Sequence, residues 1–591
     1  MIKGGEFLIK EQESKDIFIP EEFTEEQKMM ASATTEFAKK ELDPNRKRFE
    51  KKDYKLTEDW MNKAGDLGLL GISIAVKYGG MGMPFNTSVL ICDKISGANG
   101  SFSTAFGAHT GIGTLPILLY GDETQREKYL PKLASGEWMG CYCLTEPGAG
   151  SDANSGKTKA VITDDGKSYI ISGQKMWISN AGFADIFIVF ARIEDDKNIS
   201  AFILEKDMKG IKLGEEECKL GLHSSSTRQV FFNQVKVPTE AMLGGRGNGF
   251  KIAMNALNVG RIKLSAAVLD ACRRVIDLST KYANERIQFG VPIAKFGTIK
   301  HKLAEMATKT YAVESATYRA GNEIEKNIKR LERDGLNDQE AHLKGIEEYA
   351  IECSITKIIG SETIQFCSDE GIQIYGGMGY SAETPMEAAY RDARIARIYE
   401  GTNEVNRMLL VGMILKKAMK GKLDIMTPAN KIASELMSIP SFNTPNENKL
   451  FSLEKEHLKK LKKAILMTAG KAAQYYAMDI ENEQEVLMNL ANMIINVYAA
   501  ESTILRTEKL ALKNEQKAIS SHINMSKLFL YQTIKNCNQS GEEVILSFSE
   551  GDEQKMLLMG LKRFTKGYNV NPKKLRREIA NNLIEENQYC F

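Results

Sequence analysis

Tyr142-Cys143-Leu144-Thr145-Glu146-Pro147-Gly148-Ala149-Gly150-Ser151-Asp152 is the stretch at which the hydrophobic period of this chain changes. Upstream, from Thr24 onward, EEQKMMASATTEFAKKEL, DWMNKAGDLGLLGI and ETQREKYLPKLASGEW repeat apolar residues at steps of three and four, the period of half-buried helices. Downstream, KAVIT, SYIISGQ, DIFIVFAR, SAFILEK and RQVFFNQVKVP are short β-branched and aromatic runs bounded by Gly, Asp and Asn, which read as strands. After LGGRGNGF the helical period returns and runs to about residue 420. The charged stretch IEKNIKRLERDGLNDQEAHLKG interrupts it and reads as helix ends around a solvated loop. A linker starting at MTPAN and continuing through SIPSFNTPNENK then leads into further amphipathic helices. The class is α+β: an N-terminal helical domain (1–144), a middle β-domain of barrel or sandwich type (145–245), a helical bundle (246–424) and an additional C-terminal helical domain (425–591).

Composition narrows the function. The 591 residues suffice for several domains and for burying a bulky cofactor. Lys plus Arg number 79 against 77 for Asp plus Glu, so no global field draws nucleic acid. Beyond residue 424 there are 22 basic and 19 acidic residues, a surplus of only three. For the basic clusters Lys459-Lys460-Leu461-Lys462-Lys463 and Lys573-Lys574-Leu575-Arg576-Arg577, solvated helix faces are preferred, with contact to an anionic membrane as the alternative. Nine cysteines without a C-x-x-C pair read as reduced thiols, and six scattered histidines do not argue for a metal. No apolar run spans a bilayer and the N-terminus is rich in acids, so a soluble, unprocessed, cytoplasmic protein is expected.

Five clusters carry possible chemistry. The Gly/Pro turn at 145–152 offers backbone N–H groups and hydroxyls to a heteroaromatic ring or a phosphate, though taken alone an ordinary connection between the helical and β parts is the preferred reading. In Lys175-Met176-Trp177-Ile178-Ser179-Asn180, a Trp and a hydroxyl on one strand could frame a planar ring, or the Trp could simply be core. Glu285-Arg286-Ile287-Gln288-Phe289-Gly290 puts an Arg at a helix end, suited to a pyrophosphate or to a surface ion pair. Gln373-Ile374-Tyr375-Gly376-Gly377 permits close backbone approach but lacks the G-x-G-x-x-G spacing of a dinucleotide fold, so NAD is disfavoured. Glu400, in Arg397-Ile398-Tyr399-Glu400-Gly401-Thr402-Asn403-Glu404, reads as a carboxylate in a partly apolar pocket or as a helix N-terminal acid.

In order and spacing YCLTEPGAGSD, KMWISN, SSTRQVFFNQVKVP, LGGRGNGF, ERIQFG, QIYGGMGY and IYEGTNE together resemble the acyl-CoA dehydrogenase family over about residues 25–420. The extra C-terminal helices, LNVGR and EYAIECS look like its very-long-chain branch. The resemblance implies FAD as cofactor, a fatty acyl-CoA as substrate in fatty-acid β-oxidation, an electron-transferring flavoprotein as acceptor and a homodimer. It implies that Glu400 removes the α-proton of the thioester while the β-hydride passes to the flavin. Tyr142, Leu144, Thr145 and Ser151 would line flavin and thioester, with Trp177, Ile178 and Ser179 covering the rest of the ring. Arg286, Gln288, Phe289, Gln373, Gly376 and Gly377 would hold the adenosine diphosphate part of FAD belonging to a neighbouring subunit, and Thr402 and Glu404 would add contacts. Asn258, Arg261, Tyr399, Gly401 and Ser151 would touch substrate. The family's alternative base position falls on Gly260, which leaves Glu400 as the one base. Many relatives have Gln where this chain has Glu404, and some have an acid where it has Asn258. An acyl-CoA oxidase and a non-catalytic flavin-binding assembly relative are the competing readings. Small residues in SFSTAFGAHTGIG (101–113) suggest either an open far end of the acyl pocket or close helix packing.

Overall fold

The computed structural model describes residues 2–436 and 449–591, so the expected linker SIPSFNTPNENK, but for its last residue, lies outside the described residues. The helical period upstream of 140 produces short amphipathic helices. The first, Glu25–Phe37, starts at a capping box in which the Thr24 hydroxyl accepts from Gln27 N–H (3.3 Å) and the Gln27 side chain returns to Thr24 N–H (2.9 Å). Phe37, Phe49, Trp60, Leu69, Ile91 and Phe102 join into the core of this layer.

Eight strands form the middle domain: β1 (Gly140–Cys143), β2 (Lys159–Ile162), β3 (Ser168–Ser179), β4 (Ile186–Ile193), β5 (Ser200–Glu205), β6 (Ile211–Glu216), β7 (Thr227–Pro238) and β8 (Met242–Leu243). Their order is β6-β7-β3-β2-β4-β5-β8, with β1 also beside β4. One edge of β4 is shared by two parallel neighbours, β1 along Ile186–Val189 and β2 at Arg192–Ile193. The sheet therefore divides at β4 into two wings, and residues from both enclose one core containing Cys143, Ile171, Phe187, Val189, Phe202 and Val235. Alternate residues of β4, Ile186, Ile188 and Phe190, point the other way, onto Leu130, Ile252 and Val259 of the flanking helices. Burial on both faces is why DIFIVFAR reads as an unbroken apolar run instead of an alternating one.

Long helices follow: Gly249–Ala266, Leu269–Glu285, Gly297–Arg333, Ala350–Tyr375 and Asn403–Met419. The charged stretch near 330 does hold two helix ends around residues 334–337, but it is less solvated than expected, because Ile324, Asn327 and Ile328 are buried inside the 297–333 helix. MTPAN is not a linker; it opens the helix Met426–Leu436.

Five further helices between Ser452 and Glu586 form the C-terminal domain, and the chain's first residues pack into it. Phe7 is fully buried with its ring edge-on to Tyr498 (4.8 Å between centroids), Gly5 N–H donates to Glu352 Oε1 (2.8 Å), and Tyr349 Oη donates to Ile2 O (2.6 Å). Buried Arg319 of the bundle meets Glu501 of the C-terminal domain (2.9 Å), and buried Arg506 of the C-terminal domain meets Glu314 of the bundle (2.7 Å), so separating the domains would leave charges on both sides uncompensated. The basic clusters are not simply solvated faces: Lys462 is buried against Glu501 and Lys10 O, and Arg576 donates to Glu305 (2.7 Å). Among the described residues no helix is long and apolar enough to cross a membrane.

Candidate active site

The chain passes Glu400 and Gly401 with φ of 58° and 79°, and a left-handed Glu followed by a left-handed Gly persists only where the surroundings dictate it. Three side chains do so. Asn406 Nδ2 donates to the carbonyls of Glu400 (3.2 Å), Gly401 (2.8 Å) and Thr402 (3.1 Å); Lys357 Nζ donates to Gly401 O (2.8 Å) and Asn403 Oδ1 (2.7 Å); Arg261 Nε donates to Glu400 O (3.3 Å). Thr402 then caps the 403–419 helix by accepting from Val405 N–H (3.2 Å), which converts the irregular loop into helix at once.

This clamp presents the Glu400 carboxylate to a cavity of about 240 Å³ bounded by the 100–107, 249–266 and 386–393 helices. Oε2 is buried without a hydrogen-bond partner. Burial raises the carboxyl to about 7, against the opposing pull of the Arg261 and Lys357 charges. Lys357 is itself pushed down to about 7 by burial. A Cβ on Gly260 would stand 2.6 Å from Glu400 Oε2, so position 260 and the tip of Glu400 occupy the same space. Tyr399 and Ser179 share the cavity wall with Glu400. The Tyr399 phenol is raised to about 12, by burial first and then by the charge of Glu400. Asn258 is buried and accepts from Arg261 Nη1 (2.8 Å), so its contact in this chain is with the guanidinium.

The 142–152 turn is held from beneath. Glu146 accepts from buried Lys175 Nζ (2.7 Å) and from Thr158 N–H (3.0 Å), while Met176 N–H donates to Thr145 O (2.9 Å). The turn and the Trp177 strand are thereby fixed as one unit. Trp177 sits at a bulge in the β3–β7 pairing with φ 60° and is half exposed, which overturns the reading of it as core. Ile178 is buried beside it, and Ser151 is exposed at the turn's open side. The Tyr142 hydroxyl is buried without a partner, and a Cβ at Gly148 or Gly150 would meet nothing within 4 Å.

Arg286, Gln288 and Phe289 lie on an exposed hairpin of β9 (Ile287–Gln288) and β10 (Val291–Pro292), with Phe289 95% exposed. Gln373, Gly376 and Gly377 are exposed at the end of the 350–375 helix. Stacking of Tyr282 on Tyr375 (4.1 Å between centroids, 13° between planes) ties the two segments together. None of these six lines the Glu400 cavity. Glu404 is exposed on the first turn of the 403–419 helix. Sequence reasoning passed over Lys357, Asn403 and Asn406; the available signal was a pair of asparagines four to seven residues after an apolar run, on a helix whose other faces are apolar.

A buried, unpaired carboxylate at a left-handed backbone position, facing a cavity on a helical–β–helical scaffold together with a rigid turn and a half-exposed indole, makes a candidate active site. Comparison with known proteins makes the class specific. Profiles described as the N-terminal, middle and C-terminal domains of acyl-CoA dehydrogenase match residues 24–137, 141–235 and 247–415, and a further acyl-CoA dehydrogenase C-terminal domain profile matches 460–563. The chain is 43% identical to a "Probable acyl-CoA dehydrogenase" of Bacillus subtilis over 99% of its own length and 98% of the relative's. It is 41% identical to the human mitochondrial very long-chain specific acyl-CoA dehydrogenase over 58% of this chain and 51% of that one. A crystal structure of acyl-CoA dehydrogenase complexed with FAD from Bacillus anthracis superposes with a TM-score of 0.96 at 41% identity, covering all of both chains. The protein belongs to the acyl-CoA dehydrogenase family, FAD-dependent oxidoreductases acting on acyl-CoA.

Proposed function

We propose that this protein converts a long-chain fatty acyl-CoA to its trans-2-enoyl-CoA as a cytoplasmic step of fatty-acid β-oxidation, with Glu400 as the catalytic base. The observation that carries this is the unpaired, buried Glu400 oxygen, clamped at a left-handed φ and poised near neutral pH in an apolar cavity. A base of that pKa is half ready at pH 7, where an exposed carboxylate would be too weak to take a carbon-bound proton. Water exclusion by the cavity strengthens every hydrogen bond made to the thioester oxygen as charge develops there.

The residues present fit FAD: an orphaned Tyr142 hydroxyl, a half-exposed Trp177 face, Ile178 and Ser179 beside it, and four glycines (148, 150, 376, 377) open to close approach. Tyr142, Leu144, Thr145 and Ser151 would hold it along one side, with Thr402 and Glu404 near the loop. When bound, FAD supplies the hydride acceptor. Arg261, oriented by Asn258, fixes the loop at Glu400 O, and Tyr399, Gly401 and Ser151 complete the substrate's path. The test is anaerobic addition of straight-chain acyl-CoAs to the holoprotein: flavin bleaching with enoyl-CoA formed in equal amount supports the reading, and no bleaching with any chain length ends it. Reoxidation that is slow in air and fast with an electron-transferring flavoprotein separates a dehydrogenase from an oxidase.

The exposed Ile287, Phe289, Met378 and Tyr380, adjoining Arg286, Gln288, Gln373, Gly376 and Gly377, support a second copy of this chain as partner and as owner of the flavin whose adenosine diphosphate end these residues hold. Light scattering is expected to give a dimer, and Phe289→Asp to yield monomers that lose FAD on gel filtration. A flavin-loaded monomer would contradict the shared site.

A further inference from the structure

Lys263 lies in the 249–266 helix three residues after Gly260, so its side chain emerges one turn beyond the Glu400 carboxylate, about 4.5 Å along the helix axis. It lines the same cavity as Gly107 and Gly111, and it is only 7% exposed. Among the described residues its side chain makes no hydrogen bond and no ion pair. Buried lysines elsewhere in the chain differ: Lys175 meets Glu146, Lys462 meets Glu501, and Lys357 is satisfied by Gly401 O and Asn403 Oδ1. Arg261 and Lys357, not Lys263, balance Glu400. The other titratable groups on the cavity wall are engaged as well: Glu50 with Arg391 and His223, Arg274 with Asp43, and Asp392 with Leu222 N–H. Burial lowers the lysine's pKa, with only the Cys92 thiol opposing. A cavity whose sole task is to hold hydrocarbon has no use for an ammonium, and an unpaired buried one is destabilising until a partner solvates it.

We propose that Lys263 is a specificity-determining residue that recognises a hydrogen-bond-accepting oxygen on the acyl chain, a terminal carboxylate or a hydroxyl, a few carbons past the β-carbon. The inference rests on the assignment of this cavity to the acyl chain. A substrate oxygen would supply the partner the fold omits, and a charged bond in a water-poor site discriminates strongly against a chain lacking it. A small void of about 10 Å³, also bordered by Lys263, Thr110 and Thr114, has room for about one water, which is the competing partner.

The experiment compares wild-type holoenzyme with Lys263→Met and Lys263→Gln on ladders of unsubstituted acyl-CoAs, ω-hydroxyacyl-CoAs and CoA monothioesters of dicarboxylic acids, reading kcat/KM by dye reduction. In wild type the oxygenated ladders are expected to peak at one length. In both variants that peak falls about 10- to 100-fold further than the unsubstituted chain of equal length. A fall confined to the dicarboxylic ladder assigns an anionic tail, and equal falls in both oxygenated ladders assign any accepting oxygen. Equal falls on all three ladders, as a lysine holding only a water would give, overturn the proposal. Melting temperature guards against misfolding, since Lys263→Met removes an unpaired buried cation and is expected to melt no lower than wild type. Should Gly107→Leu leave every ladder unchanged, the cavity assignment fails; should it shorten the unsubstituted ladder while the oxygenated peak is absent, only the role of Lys263 fails.

Discussion

Glu400→Gln is expected to keep its yellow FAD and bind acyl-CoA, yet bleach about 10²- to 10⁴-fold more slowly than wild type under anaerobic stopped flow. The amide matches the carboxylate in shape, so the Asn406, Lys357 and Arg261 bonds, all made to backbone carbonyls or to Asn403, survive the substitution. What is lost is the proton acceptor. The pH dependence should change as well. Because burial holds the Glu400 carboxyl at about 7 and only its ionised form accepts a proton, wild-type kcat/KM should rise with pH through about 7. The variant's residual rate should lack that limb. Bleaching at the wild-type rate, or an unchanged acid limb, would take the base role from Glu400.

Gly260 was legible as the family's alternative base position, but not its relation to Glu400. Helix and loop are 140 residues apart in the chain, and only the fold shows that a side chain at 260 would enter the volume of the Glu400 carboxylate, with a Cβ 2.6 Å from Oε2. A side chain can reach this spot from either segment, and a glycine at 260 makes room for the carboxylate of Glu400.

The β-domain and flanking helices were legible because their periods differ, and the 145–152 turn because Gly and Pro break a strand. What stayed hidden has three physical sources. The first residues carry no helical or strand period; Phe7 and Leu8 are buried by partners more than 300 residues away, which no local pattern reports. MTPAN looked like a linker because Thr-Pro breaks pattern, yet proline is tolerated in a first helical turn, where its missing N–H would have no partner anyway. The loop clamp was missed because Asn406 and Lys357 act on backbone carbonyls, and a sequence shows side chains without showing which carbonyls they meet. The basic clusters show the reverse error: Lys462 and Arg576 sit in runs that read as solvated, but each faces a carboxylate inside.

Gly107→Leu should shorten the range of acyl chains the enzyme accepts. Sequence left two readings of SFSTAFGAHTGIG, an open pocket end or close helix packing, and the glycines divide between them. A Cβ on Gly107 or Gly111 would meet nothing within 4 Å, and both residues line the Glu400 cavity; a Cβ on Gly113 would stand 2.8 Å from Gly140 backbone. The first two border open space and the third packs. The segment changes from α to π at Ala108–Gly113, a switch often found at functional sites. It is anchored on its far side by His109, whose Nε2 donates to Leu133 O (2.9 Å) and whose Nδ1 accepts from Gly140 N–H (3.0 Å), a tautomer consistent with burial holding the imidazole at about 4. The anchored side belongs to β1 and the glycine side to the cavity. A leucine at 107 takes volume from the acyl tail without touching the clamp around Glu400. Each methylene denied burial loses about 0.8 kcal/mol, so chains that overrun the leucine by three or four carbons should lose roughly 10²-fold in kcat/KM while short chains hold theirs. Gly113→Ala is the control: it should lower the melting temperature and depress the whole length ladder evenly. If Gly107→Leu also lowers every length by one factor, residues 107 and 111 only pack helices and the acyl tail runs elsewhere.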